Sequence, residues 1–245
     1  MRERLDKLLL AQGLAPSRER AQALILAGRV LVNQQKVEKP GAAVDQTATL
    51  RVLGEEQRYV SRGGFKLEAA LAHWRIDLTG RDCADIGTST GGFTDCMLQH
   101  GAASVVAVDT GYGQIVETLR RDPRVRLLER TNARYLKPGD LSPGIGFVSM
   151  DVSFISATLI LPAVLAAVGA QTLEMVVLVK PQFEAGREHV GKGGIVHDPA
   201  AHQFAIDRVR SAMQDLGASA TEVTDSPILG RKEIASFCST VAFKA

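Results

Sequence analysis

Two charged residues stand where charge is costly. Asp151 follows the apolar run Ile145–Met150, and Lys180 follows the run Met175–Val179. An ionised group at the end of a buried strand is stripped of water, so it needs a partner or a task. A lysine held between another cation and low-dielectric walls gives up its proton more readily and can orient or deprotonate a hydroxyl. Lys66, in SRGGFKL, and Glu233, in LGRKEIASF, are candidates for the same cluster. The simpler reading of Asp151 and Lys180 is an ordinary ion pair at the mouth of a sheet.

A second group of residues lies in CADIGTSTGGFTD, 83–95. A strand ending near Asp85 turns through Gly87, Thr88 and Ser89, then passes Gly91, Gly92 and Phe93 into a helix. Glycines in such a turn let backbone N–H groups approach a ligand closely. The spacing is neither GxGxxG nor GxxxxGK[ST], since no lysine follows the last glycine. The acid Asp85 suits an amino or sulfonium group better than a pyrophosphate. Asp109, at the end of the next strand, is placed to accept hydrogen bonds from ribose hydroxyls. Together these features point to S-adenosylmethionine, against the plainer alternative of a Gly-rich turn beside an unrelated acid. Asn132 and Ala133, after the third strand, are the candidates for the adenine edge.

These residues need a frame that brings strand ends together. Ala84–Ile86, Ser104–Val108, Val125–Leu128, Ile145–Met150 and Met175–Val179 read as short apolar strands, with helical patterns between most of them. A helix from about Phe65 to Trp74 precedes the first. Such alternation predicts a parallel sheet with helices on both faces and ligands at its carboxyl edge. Residues 217–245 read as two strands that close the sheet antiparallel. Ahead of this, Leu5, Leu8 and Leu9 mark one helix. Ser17 caps a second, with Ala21, Leu24 and Ile25 on one face. RVLVN and Thr49–Leu53 read as strands. The expected organisation is a small module over 1–57, a linker over 58–62 and the α/β domain over 63–245.

The 245 residues carry 29 Lys+Arg and 27 Asp+Glu, with 45% hydrophobic residues, which excludes disorder. Residues 1–60 hold ten Lys/Arg against seven Asp/Glu, so the first quarter is the basic part. No window reaches eighteen uninterrupted apolar residues, and Cys83, Cys96 and Cys238 lack disulfide or CxxC spacing. His189 and His197 have no third ligand at a workable spacing, so no metal is expected. The expectation is a cytoplasmic protein without a membrane segment. The stretch GREHVGKGGIVHD, 186–198, with Arg187 and Lys192, reads as a basic loop that could close over RNA or donor.

The region from Ser61 onward resembles the FtsJ-type ribose 2′-O-methyltransferases, whose Lys-Asp-Lys-Glu tetrad matches Lys66, Asp151, Lys180 and Glu233. Residues 4–41 resemble the small RNA-binding module first known from a small-subunit ribosomal protein. There, the residues matching Arg4, Lys7, Ser17, Arg18, Arg20 and Arg29 face RNA. The module followed by YVSRGGFKL, DIGTSTGGFTD, AVDTGYGQ, MDVSFIS and VKPQFE is similar to the TlyA family. Thr90 and Phe93 stand where FtsJ-type proteins usually have a proline and an aromatic, and Asn132-Ala133-Arg134 replaces a common acid.

The resemblance implies an α/β fold: a Rossmann-like S-adenosylmethionine-dependent methyltransferase sheet with a small N-terminal α+β RNA-binding domain. It implies 2′-O-methylation of cytidine in rRNA, the large subunit favoured over the small. Arg62 joins the RNA-facing set. Two alternatives are a non-catalytic, rRNA-binding assembly factor and the lytic activity behind the family's older haemolysin name. A base methyltransferase would need a Pro-Cys nucleophile or an Asn/Asp-Pro-Pro-aromatic loop, and neither occurs here.

Overall fold

The structure, a computed structural model, describes residues 2–53, 58–169, 173–228 and 237–243, the last stretch as backbone. The chain divides into two compact units, Met1–Arg58 and Tyr59–Ala245. In the first, β1 (Arg2–Arg4) leads into α1 (Leu5–Ala11) and α2 (Arg18–Leu26). There follow β2 (Val30–Val32), β3 (Gln35–Lys36), β4 (Ala43–Asp45) and β5 (Leu50–Val52). Ser17 caps α2 as its position predicts, its Oγ accepting the Arg20 N–H at 3.2 Å. Leu5, Leu8, Leu9, Ala21, Leu24, Ile25 and Val30 form the core. The pairing of β1 with β4 was not anticipated, because three residues of alternating charge carry no strand signal.

The second unit opens with α3 (Gly63–Trp74), then β6 (Asp82–Ile86), α4 (Gly92–Gln99), β7 (Ser104–Val108), α5 (Glu117–Arg120) and β8 (Val125–Leu128). It continues with β9 (Ile145–Met150), α6 (Leu161–Val168), β10 (Leu173–Val179), α7 (Pro181–Glu184), α8 (Pro199–Asp215), β11 (Ala220–Asp225) and β12 (Phe237–Phe243). The sheet order is β11-β12-β10-β9-β6-β7-β8. Strands β8 to β10 in this order run parallel, while β12 pairs antiparallel with both β10 and β11, as expected for the closing strands. Alternate strand residues feed two cores: Cys83, Val105 and Phe147 face α3, α4 and α5, while Ala84, Val106 and Val148 face α6 and α8.

The order of strand addition reverses about β6: β7 and β8 extend to one side of it, β9 and β10 to the other. The carboxyl ends of β6 and β9 therefore border the crevice where open α/β sheets bind ligands. Residues 58–62, expected as a linker, supply a core ring. Tyr59 is buried, meets Phe65 edge-on at 5.1 Å, and the next residue's N–H donates to Asp95 at 2.7 Å.

Candidate active site

The backbone at the crevice is tight. Gly87 has φ +88°, and a Cβ there would lie 2.6 Å from the Asp151 carbonyl oxygen. Gly92 opens α4, and a Cβ there would lie 2.2 Å from Ser61 Oγ. A side chain at Gly87 would push the turn away from the Asp151 backbone, and one at Gly92 would displace the Ser61 hydroxyl and crowd the Gly64 backbone N, 3.1 Å away. Two adjoining cavities result, of about 360 and 500 Å³, both lined by Gly87, Ser89, Asp151 and Ser153.

The smaller cavity collects Lys66 and Arg62 from the start of α3, Thr88, Gly92 and Phe93 from the turn into α4, and Asp151 and Lys180 from the strand ends. Lys180 Nζ lies 2.5 Å from Asp151 Oδ1 and donates to Ser153 Oγ at 2.8 Å. Both side chains of the ion pair are mostly buried, at 13% and 21% exposure, so the pair holds a fixed geometry. Three members of the expected tetrad thus share one cavity. Glu233, the fourth, lies outside the described residues.

The larger cavity is lined by Asp109, Asn132, Ala133 and Gln114, with Val152, Phe154 and Ile155 opposite. Asp109 Oδ2 accepts the Ser89 N–H at 2.7 Å and Oδ1 accepts the Gly111 N–H at 2.6 Å, which fixes the carboxylate at the cavity edge. Asn132 caps a short 3₁₀ turn, its Oδ1 accepting the Arg134 N–H at 3.0 Å.

Asp85 requires a correction. It lines neither cavity, and its side chain is fully buried. Strand alternation turns it toward α4, where Oδ2 accepts the Thr94 N–H at 3.0 Å and hydroxyl at 2.7 Å. Oδ1 accepts the Ser149 hydroxyl at 3.1 Å. Burial pushes its carboxyl up to about 6, against the hydrogen bonds from Thr94 and Ser149. Asp85 braces the turn from beneath and does not meet a cationic ligand directly.

In the N-terminal unit, Asp6 gathers basic residues expected to face RNA. Its buried carboxylate accepts from Arg4 at 3.0 and 2.9 Å, from Arg18 at 3.1 Å and from Gln22 at 2.8 Å. The Arg4 hydrogen bond foremost holds this carboxyl far below the usual range. Arg4 and Arg18 keep side-chain exposures of 46% and 45%, so they remain open to a second anion. Lys7 is exposed, and Arg20 and Arg29 line a hollow of about 320 Å³. Arg187 and Lys192 are exposed on the loop after α7.

Three features escaped the sequence reading. Ser153 was hidden because a serine two residues past Asp151 carries no signal until Lys180 arrives beside it. Phe154 is 93% exposed with φ +68°, a backbone state costly for an aromatic residue, and its ring lies 5.5 Å from that of Phe183. Arg130 lies over the exposed Tyr112 ring at 4.3 Å, and its backbone N–H donates to the Gly111 carbonyl at 3.0 Å.

The chain is similar to known proteins along most of its length. Residues 59–239 match the model for FtsJ-like methyltransferases, and residues 3–50 match the S4 domain. The chain is 48% identical over 230 residues to the candidate rRNA methyltransferase YqxC of Bacillus subtilis, covering 94% of this chain and 82% of that protein. It is 46% identical over 230 residues to TlyA of Mycobacterium tuberculosis, a 16S/23S rRNA (cytidine-2′-O)-methyltransferase, covering 94% and 85%. A solved candidate hemolysin from Streptococcus thermophilus superimposes with a TM-score of 0.75 at 44% identity, over 99% of this chain and 89% of that one.

Proposed function

We propose that this chain, which belongs to the FtsJ-like methyltransferase family and within it to the TlyA group, methylates the 2′-hydroxyl of cytidine in ribosomal RNA. The observation that carries the reading is the cavity in which Lys66, Asp151 and Lys180 meet beside the glycine-lined turn. S-adenosylmethionine fits the adjoining space by the chemistry of its lining: Asp109 for ribose hydroxyls, Asn132 and Ala133 for the adenine edge, and a turn that tolerates no Cβ at Gly87. When bound, it supplies an electrophilic methyl group.

The chain's own residues handle the acceptor. Lys180 Nζ, anchored between Asp151 and Ser153, presents its remaining hydrogen-bonding direction to a ribose hydroxyl entering the smaller cavity. As the ammonium it orients that oxygen; once it has released a proton to solvent, the neutral amine takes the hydroxyl proton as the oxygen becomes nucleophilic and is left as the ammonium again. Asp151 fixes the ammonium and balances its charge, and Lys66 adds positive potential on the same wall. Glu233 completes the tetrad by resemblance. Much of the rate enhancement comes from placing the acceptor oxygen, since no covalent step on the enzyme is needed.

RNA is held by phosphate contacts from Arg4, Lys7, Arg18, Arg20 and Arg29, joined by Arg62, Arg187 and Lys192 on the methyltransferase unit. Such contacts set position and weaken with salt. The target nucleotide leaves its helix to bring its ribose to the strand ends. Phe154, exposed at the rim, is the residue type on which an extruded base stacks. An enzyme acting on ribosomal RNA works where ribosomes assemble, in the cytoplasm. Among the described residues no helix is long and apolar enough to cross a membrane.

The test is methyl transfer from labelled S-adenosylmethionine to separated ribosomal subunits and free rRNA. Wild type is expected to yield alkali-resistant 2′-O-methylcytidine, and the accepting subunit identifies the substrate. Lys180→Met is expected to lower the rate by roughly 10²–10⁴-fold while donor binding persists. Donor binding without methylation of any ribosomal RNA would instead leave a non-catalytic RNA-binding protein.

A further inference from the structure

Glu184 is a buried acid that the mechanism above does not use. It ends the short helix α7, which begins at Pro181, directly after Lys180. Its side chain reaches the segment that directly follows Asp151. Glu184 Oε2 accepts the Ser156 hydroxyl at 2.5 Å, and Oε1 accepts the Ala157 N–H at 2.7 Å. Ser156 is also bonded to the Thr158 hydroxyl at 2.7 Å, so the acid grips an already ordered turn. From the other side, Arg208 on α8 donates to the Glu184 backbone oxygen at 2.8 Å.

The position has two consequences. Residues 151–155, the stretch between Asp151 and the grip, form the wall of the larger cavity that carries Val152, Phe154 and Ile155. The other end of the grip lies four residues from Lys180. One carboxyl group thus joins the donor-side wall to the element carrying the lysine. Residue 184 is 2% exposed, and the next residue, Ala185, belongs to the apolar core shared with α6 and α8. A hydrophobic side chain would fill that space at lower desolvation cost.

We infer that Glu184 is a positioning residue for the methyl-transfer site, clamping the segment after Asp151 to the helix after Lys180 so that donor wall and lysine keep their spacing. This rests on the reading given under Proposed function. Burial also pushes the Glu184 carboxyl up, so a neutral amide of the same shape is the matched rescue. Glutamine keeps an oxygen for Ala157 N–H and turns its NH₂ to Ser156 Oγ, which then donates to Thr158.

The experiment compares Glu184→Leu, Glu184→Gln and Met213→Ala in the full chain. Met213 is fully buried on α8 in the same core and lines neither cavity, so it reports the effect of lost stability alone. The readouts are S-adenosylhomocysteine affinity by calorimetry, single-turnover methylation across pH, and melting temperature. Glu184→Leu is expected to lower the transfer rate roughly 10- to 100-fold and the affinity about tenfold, with Glu184→Gln within about threefold of wild type in both. Met213→Ala is expected to melt earlier with an unchanged rate. If Glu184→Leu does not fold, Ser156→Ala breaks the same grip from the other side. Wild-type rate and affinity in Glu184→Leu, or losses that merely track melting temperature in all three variants, would overturn the inference. Should wild type bind S-adenosylhomocysteine but methylate no ribosomal RNA, the functional reading fails, and the affinity comparison alone decides the role of Glu184.

Discussion

The buried acid beneath the glycine turn makes a quantitative prediction. Asp85 has an ordinary value of 3.8 and is pushed up to about 6 in the folded protein by burial. Between those values the folded chain binds more protons than the unfolded chain, so stability falls as pH rises through the window. A difference of about two units corresponds to about 3 kcal/mol at full development. Asp85→Asn removes the titration and keeps the packing. Its amide oxygen accepts from Thr94, its NH₂ donates to Ser149 Oγ, and Ser149 can turn to the Ala84 carbonyl, 3.5 Å away. Trp74, the chain's single tryptophan, lies on α3 and reports the methyltransferase unit. Urea unfolding followed by its fluorescence should find the asparagine variant gaining on wild type by about 2 kcal/mol between about pH 4.5 and pH 7.5. The other titrating groups are common to both proteins, and apart from Asp151, whose charge acts on Asp85, they cancel. A difference that stays flat with pH, or that favours wild type at neutral pH, would refute the account of Asp85 as a desolvated brace.

Two further outcomes follow from the same kind of accounting. Asp6→Ala removes the buried acceptor shared by Arg4, Arg18 and Gln22 and, with the two arginines free to turn to water, should destabilise the N-terminal unit by about 1–2 kcal/mol, read as faster amide exchange over residues 2–53. Because the Asp6 carboxyl is held low, its contribution in wild type is complete above its ordinary value of 3.8 and is lost as pH falls below it. Burial pushes the Cys83 thiol up to about 12, so a thiol reagent at mild alkaline pH should label Cys83 only after unfolding, as peptide mass analysis would show.

The parts of this molecule legible in the sequence are those governed by local periodicity and short-range chemistry. Ser104–Val108, Val125–Leu128 and Ile145–Met150 stand where apolar runs bounded by turn residues put them. Asp151 and Lys180 were visible because a charge at the end of such a run is anomalous. Less legible was anything decided by which way a side chain turns. Asp85 and Asp109 look alike in the sequence, since each closes an apolar strand ahead of a glycine. Asp85 falls within β6, at a register facing α4, and is sealed beneath the turn. Asp109 lies one residue past β7, free of the pleat, and reaches the cavity.

The same distinction separates the two acids near the lysine. Asp151 is recognisable from its place after β9, whereas Glu184 sits in a four-residue helix with no strand to mark it. Its partner is 28 residues earlier in the chain, and only the closure of β9 beside β10 brings the two together. Sequence spacing therefore exposes the groups placed at the reacting atoms by strand ends. The groups that hold those strand ends in register are set by pairings across the sheet. The dependence of transfer rate on residue 184 measures how far placement, beyond the mere presence of Lys180 and Asp151, produces the chemistry.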